Sequence, residues 1–266
     1  MNRIQVTLDK LAAENRKALV SYIVAGDPDL ASTVPLMHQL VKSGTDIIEI
    51  GVPFSDPSAE GPTIQRAHER ALANKIGLGQ ILELIKEFRK QDSSTPVLLM
   101  GYANPIEWMG YARFCLTAKE AGVDGALTVD IPPEEAAPLN EVLEENGLFN
   151  VFLLAPTTTD DRISAIANMA SGFLYYVSLK GVTGAASLDI ASVEEKLSHI
   201  RARTQLPVCV GFGIKDAATA KSVVAIADGV VIGSAIVDTV FKSGSLEKAL
   251  IAVDDLLTPI RAAIDE

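Results

Sequence analysis

Eight short runs rich in β-branched and apolar residues recur along the chain, at 19–24, 46–50, 97–100, 125–128, 150–154, 173–177, 207–210 and 229–232. Stretches with apolar residues at helical spacing separate them, at 30–43, 78–90, 109–121, 138–146, 160–169, 193–203 and 217–225. Strand signals that alternate with helix signals require a parallel sheet, because each crossover returns the chain to the same edge. Eight such units are the number that closes a barrel, so the expected fold is α/β, a single (β/α)8 TIM barrel over residues 1–266. A doubly wound open sheet would show fewer strands and a Gly-rich first turn. The first run is followed instead by Ala25-Gly26-Asp27-Pro28-Asp29, where Asp29 suits a helix cap. Two further helices are expected, an extra N-terminal one at 6–15 that could plug the barrel's bottom and a closing one at 246–264.

Charge narrows the range of ligands. The 266 residues carry 34 Asp and Glu against 23 Lys and Arg, a net charge of −11, which argues against nucleic acid or an anionic membrane surface as partner. An anionic ligand would have to be held by local backbone dipoles. The sequence shows no charged-then-apolar leader and no apolar run of about 18 residues to span a bilayer. Cys115 and Cys209 lie in apolar segments and read as core residues, so a reducing cytoplasmic setting is expected. No metal site is expected.

In a parallel barrel the chemistry gathers at the carboxyl ends of the strands. Runs seven and eight end in Gly211-Phe212-Gly213-Ile214 and Ile232-Gly233-Ser234-Ala235, each followed by a helix signal. Such turns let backbone N–H groups approach an anion, and a helix N-terminus adds a favourable dipole. Gly181-Val182-Thr183-Gly184, after run six, could complete a phosphate site. Opposite it, Glu49 interrupts the apolar run 46–50. If Ile48 and Ile50 pack outward, alternation points Glu49 into the barrel mouth, where desolvation would raise its pKa towards neutrality. The competing reading is a structural Glu tied to a buried cation. Asp56 and Glu60 follow in a turn and would complete an acidic rim. Tyr22, Met100, Tyr102, Val129, Leu153, Tyr175 and Phe212 fall at or just past strand ends, which suggests a flat apolar ligand.

The chain resembles the tryptophan synthase α subunit in Ala25-Gly26-Asp27-Pro28, in the block 49–65 ending Gly61-Pro62-Thr63-Ile64-Gln65, and in Gly181-Val182-Thr183-Gly184. Met100-Gly101-Tyr102-Ala103-Asn104-Pro105, Gly211-Phe212-Gly213-Ile214 and Gly233-Ser234-Ala235 extend the likeness from about Ala18 to Val237. The resemblance implies a (β/α)8 barrel that cleaves indole-3-glycerol phosphate to indole and glyceraldehyde 3-phosphate by a retro-aldol reaction. It implies Glu49 as general acid and base, protonating C3 of the indole and taking the proton of the side-chain hydroxyl. Glu60 stands where the family usually has Asp, which accepts the indole N–H; its extra methylene adds about 1.5 Å of reach. Tyr22, Tyr102, Tyr175 and Phe212 are implied around the indole, and Gly184, Gly213, Gly233 and Ser234 around the phosphate. Thr183 is implied on a mobile loop. Pro53, Asp56, Asn104 and Pro132 are implied at the contact with a β subunit, in an α2β2 heterotetramer. By the same resemblance pyridoxal phosphate belongs to that partner, and this chain needs no cofactor.

Two rival readings remain open from the sequence. Lys180, after run six, could serve as the nucleophile of a Schiff-base aldolase on the same fold. Alternatively the barrel could be a weak catalyst that mainly binds and activates a β partner, a reading that the change to Glu60 motivates.

Overall fold

The computed structural model describes residues 1–177, 189–211 and 213–266. Within them the strands are β1 (Ala18–Val24), β2 (Ile47–Gly51), β3 (Val97–Gly101), β4 (Gly125–Thr128), β5 (Phe149–Asn150), β6 (Phe152–Leu154), β7 (Leu174–Val177), β8 (Val208–Gly211) and β9 (Gly229–Ile232). The helices are α1 (Arg3–Ala13), α2 (Leu30–Lys42), α3 (Pro62–Ala73), α4 (Leu78–Arg89), α5 (Ala103–Met109) and α6 (Tyr111–Ala121). They continue as α7 (Ala137–Glu145), α8 (Asp160–Ala167), α9 (Ile190–Arg201), α10 (Ala217–Val224), α11 (Ser234–Ser243) and α12 (Leu246–Asp265). Among the described residues no helix is long and apolar enough to cross a membrane.

All strand pairs are parallel, in the order β5-β4-β3-β2-β1-β9-β8-β7-β6. The ends of that order are two halves of one run. β5 pairs with β4, Val151 N–H donates to Ala126 O at 2.9 Å, and β6 then pairs with β7. A single extended segment that changes partner midway thus closes the barrel, and the fifth expected strand is divided for that reason.

Strand alternation sorts the side chains into two cores. Val20, Ile47, Leu98, Leu127, Val151, Phe173, Tyr175, Cys209 and Val231 fill the interior, and Ile4, Leu8 and Leu11 of α1 cover them. The expected plug is there, but it begins earlier than residue 6 because Asn2 caps it, its side chain accepting from Ile4 N–H at 2.9 Å. Ile48, Ile50, Leu99, Val210 and Val230 face outward onto the helices. Asp29 caps α2 through Ser32 N–H at 2.9 Å. The helix expected from residue 109 starts at Tyr111, since Gly110 takes a φ of 82° that breaks it from α5.

Three carboxylates close the bottom. Asp46, Asp124 and Asp228 each precede a strand and accept a backbone N–H from a neighbouring one, of Leu19, Val97 and Val208 at 2.8, 2.8 and 2.9 Å. Arg261 of α12 pairs with Asp46 at 2.7 Å, and Arg89 of α4 with Asp124 at 3.0 Å. These charges satisfy strand ends at the face where barrels carry stability, which leaves the opposite mouth free for chemistry.

Candidate active site

The mouth holds a cavity of about 220 Å³, lined on one side by Glu49 and Glu60. Tyr22 pairs in register with Glu49, so both side chains leave the sheet on its inner face. Glu49 is 1% exposed, and neither of its carboxyl oxygens has a hydrogen-bond partner among the described residues. Among the described residues no ion pair holds it there either, in contrast to Asp46 three residues earlier. Burial disfavours the charged form, so the acid form is favoured: burial first, and Glu60 second, push its pKa from 4.5 to about 8. Glu60, half-buried in the loop between β2 and α3, is raised by burial to about 7.

That loop is braced at several points. The Phe54 ring stacks on Tyr102 with centroids 4.8 Å apart, and Ala59 N–H donates to the Tyr102 hydroxyl at 3.0 Å. Gln65 Nε2 donates to Glu60 O at 2.9 Å, and Phe54 N–H donates to His68 Nδ1 at 3.1 Å. Glu60 therefore sits on a held segment rather than a free turn.

Most of the remaining wall is apolar. Met100, Val129, Leu153, Val177 and Val231 line it with Tyr22 and Tyr175. Both tyrosines reach over glycines at neighbouring strand ends. A Cβ on Gly51 would lie 2.2 Å from the Tyr22 hydroxyl oxygen, and one on Gly211 would lie 2.3 Å from that of Tyr175. At the far end stand Gly233 and Ser234, where α11 begins with no side-chain cap. The first-turn N–H groups and positive dipole end of this ten-residue helix suit an anion.

Glu49, Glu60, Tyr22, Tyr175, Gly233 and Ser234 are thus brought to one cavity. Tyr102 stands beside it as a brace of the loop. Gly213 takes a φ of 77° in an exposed turn after β8. Phe212, Thr183, Gly184 and Lys180 lie outside the described residues. Of the positions expected at a partner contact, Asp56 and Asn104 are exposed, Pro132 is half-buried and Pro53 is buried. His68 was not foreseen; its only signal was a place on the inward stripe of α3 with Ile64, Ala67 and Ala71. Among the described residues, no group of three or more His, Cys, Asp and Glu is arranged to hold a metal ion.

A parallel barrel whose mouth sets protonatable carboxyls against an apolar cavity, with a bare helix N-terminus opposite, defines an acid–base enzyme for an apolar ligand with an anionic end. The family profile for the tryptophan synthase alpha chain matches residues 8–263. The tryptophan synthase alpha chain of Thiobacillus denitrificans is 60% identical over 240 residues, 90% of this chain and 88% of that one. That of Dechloromonas aromatica is 54% identical over 266 residues, 100% of this chain and 99% of the other. The crystal structure of tryptophan synthase subunit alpha from Legionella pneumophila superposes with a TM-score of 0.94 at 47% identity, covering 100% and 99% of the two chains. The alpha fold of M. tuberculosis tryptophan synthase in its aminoacrylate-bound form gives 0.88 at 32% identity, covering 99% and 100%. The chain belongs to the tryptophan synthase alpha chain family.

Proposed function

We infer that this chain performs the α reaction of tryptophan synthase through Glu49 and Glu60. That reaction is the carbon–carbon lyase step of tryptophan biosynthesis that converts indole-3-glycerol phosphate to indole and glyceraldehyde 3-phosphate. The observation that carries the assignment of Glu49 is its buried carboxyl on the cavity wall, without a hydrogen-bond partner among the described residues and raised by burial to a pKa of about 8.

The steps follow from that protonation state. Glu49 begins as an acid and gives its proton to C3 of the indole, and positive charge spreads to the ring nitrogen. Glu60, as carboxylate, accepts the N–H hydrogen bond and stabilises that charge. Glu49, now a carboxylate, takes the proton of the hydroxyl next to the ring. The C–O bond becomes a carbonyl as the carbon–carbon bond to C3 breaks, and its electron pair restores the aromatic ring. One proton is given and one taken, so Glu49 returns to its starting form. Tyr22, Tyr175 and the aliphatic wall exclude water from this exchange, with Tyr102 and Phe212 completing the aromatic side. Gly233 and Ser234, with Gly213 and Gly184, hold the phosphate, and Thr183 is the residue assigned to touch the catalytic carboxylates.

The family implies a β-subunit partner. Pro53, Asp56, Asn104 and Pro132 form the proposed contact in an α2β2 assembly, in which the partner carries pyridoxal phosphate. The residues invoked here run the cleavage without a cofactor of their own, and a reducing cytoplasm is the proposed setting for two unpaired buried thiols. Indole release from indole-3-glycerol phosphate by the full chain tests the reading. Turnover is expected, and Glu49→Gln should lower it by ~10³-fold or more, since one group serves both proton transfers. No release above background, even with β subunit added, would leave only a binding role. A stable adduct on Lys180 after borohydride reduction with substrate would support the Schiff-base alternative.

A further inference from the structure

His68 is 2% exposed on α3 and has two polar partners. Its Nδ1 accepts the backbone N–H of Phe54 at 3.1 Å, and its Nε2 lies 3.4 Å from the Tyr22 hydroxyl. A neutral imidazole has one acceptor nitrogen and one N–H. Burial holds His68 neutral, lowering its pKa to about 4. With Nδ1 committed as acceptor, the proton belongs on Nε2 and points at Tyr22. The Tyr22 hydroxyl therefore accepts from His68, and its own proton is directed elsewhere.

That proton has no acceptor among the described residues, while both oxygens of Glu49 lack a donor. The two groups are cross-strand partners on the inner face, and both line the cavity. An unmatched donor and an unmatched acceptor thus line one cavity with no hydrogen bond between them, and the mismatch becomes costly when Glu49 ionises there. We propose that His68 is a positioning residue for the cleavage: by donating its Nε2 proton to Tyr22, it makes the Tyr22 hydroxyl a donor to the Glu49 carboxylate that proton transfer creates. The inference rests on the assignment of Glu49 as the acid. It explains why a polar pair is buried behind an otherwise apolar wall, and why Gly51, with no Cβ, underlies the Tyr22 hydroxyl.

Two measurements on the full chain test it. Nitrogen-15 imidazole shifts at neutral pH should show His68 as the Nε2–H tautomer, with the Nε2 resonance moving in Tyr22→Phe. An Nδ1–H tautomer or an imidazolium overturns the proposal. In steady-state cleavage, Tyr22→Phe and His68→Asn should each lower kcat about tenfold or more, the scale of one hydrogen bond to a charged group, with KM nearly unchanged. The double variant should be no slower than the slower single one. Asn keeps an oxygen near the Nδ1 position to accept from Phe54, so the loop stays anchored. Gln carries its amide near the Nε2 position, so His68→Gln should recover part of the kcat lost in His68→Asn. Losses that multiply, or a loss confined to KM, would make His68 an anchor of the loop and overturn the inference. An active Glu49→Gln would overturn the underlying assignment and this inference with it. An inactive Glu49→Gln beside multiplying losses at Tyr22 and His68 would overturn the inference alone.

Discussion

Glu49→Gln should make the protein more stable, and by an amount that depends on pH. In the folded chain the carboxyl is raised from 4.5 to about 8, chiefly by burial. The native state therefore binds this proton more tightly than the unfolded chain does. Stability from that preference is fully present below pH 4.5 and is lost as pH rises towards 8. At 1.36 kcal/mol per pKa unit the full loss is ~5 kcal/mol, and about 3 kcal/mol of it has accrued at neutral pH. Glutamine keeps the shape and cannot ionise, so the variant escapes the loss. Urea unfolding of both proteins, followed by circular dichroism across this range, reads the difference directly. The two midpoints should lie close at acid pH and separate, with the variant ahead, as the pH rises from 4.5 to about 8, with most of the separation present at neutrality. A difference that stays constant with pH, or a wild type that gains on the variant in alkali, would refute a desolvated, unpaired carboxyl at this position.

Other substitutions probe the rest of the site and its frame. Glu60→Asp should give equal or faster turnover in the indole-release assay, since it restores the family's usual side-chain length; a large loss would mean that the braced loop is built around the longer one. Ser234→Asp places a carboxylate at the start of α11 and should raise KM by tenfold or more, from repulsion of the phosphate and loss of the helix-end site, with kcat much less affected. Arg261→Ala leaves Asp46 buried without its partner and should cost about 3 kcal/mol in urea unfolding; a loss much below 1 kcal/mol would show that Leu19 N–H alone suffices for Asp46.

Much of this molecule was legible in the sequence because two periods are hard to disguise. The eight apolar runs mark the strands, and alternation around Ile48 and Ile50 is enough to turn Glu49 inward. Gly233-Ser234 at a strand end is likewise local information. What escaped was set by distant contacts. The run containing Asn150 and Val151 shows no break, because its division is a change of hydrogen-bond partner imposed by barrel closure. The seven residues of α5 are too few to show a helical period. Tyr102 is marked by its place as a pocket aromatic, but nothing local shows that its hydroxyl also holds Ala59, 43 positions away. His68 on an apolar stripe reads as an ordinary core residue; only the loop folded back onto it shows which nitrogen must accept.

The proposed mechanism sets an acid in the dry mouth against the ring whose carbon it protonates. A crystal structure of the chain with an indole-bearing, phosphate-ended substrate analogue tests this most directly. The Glu49 carboxyl is expected against C3 of the ring and the adjoining side chain, Glu60 at the ring nitrogen, and the phosphate on the N–H groups of Gly233 and Ser234. A Glu49 turned from the ring and paired with a lysine or arginine would contradict it.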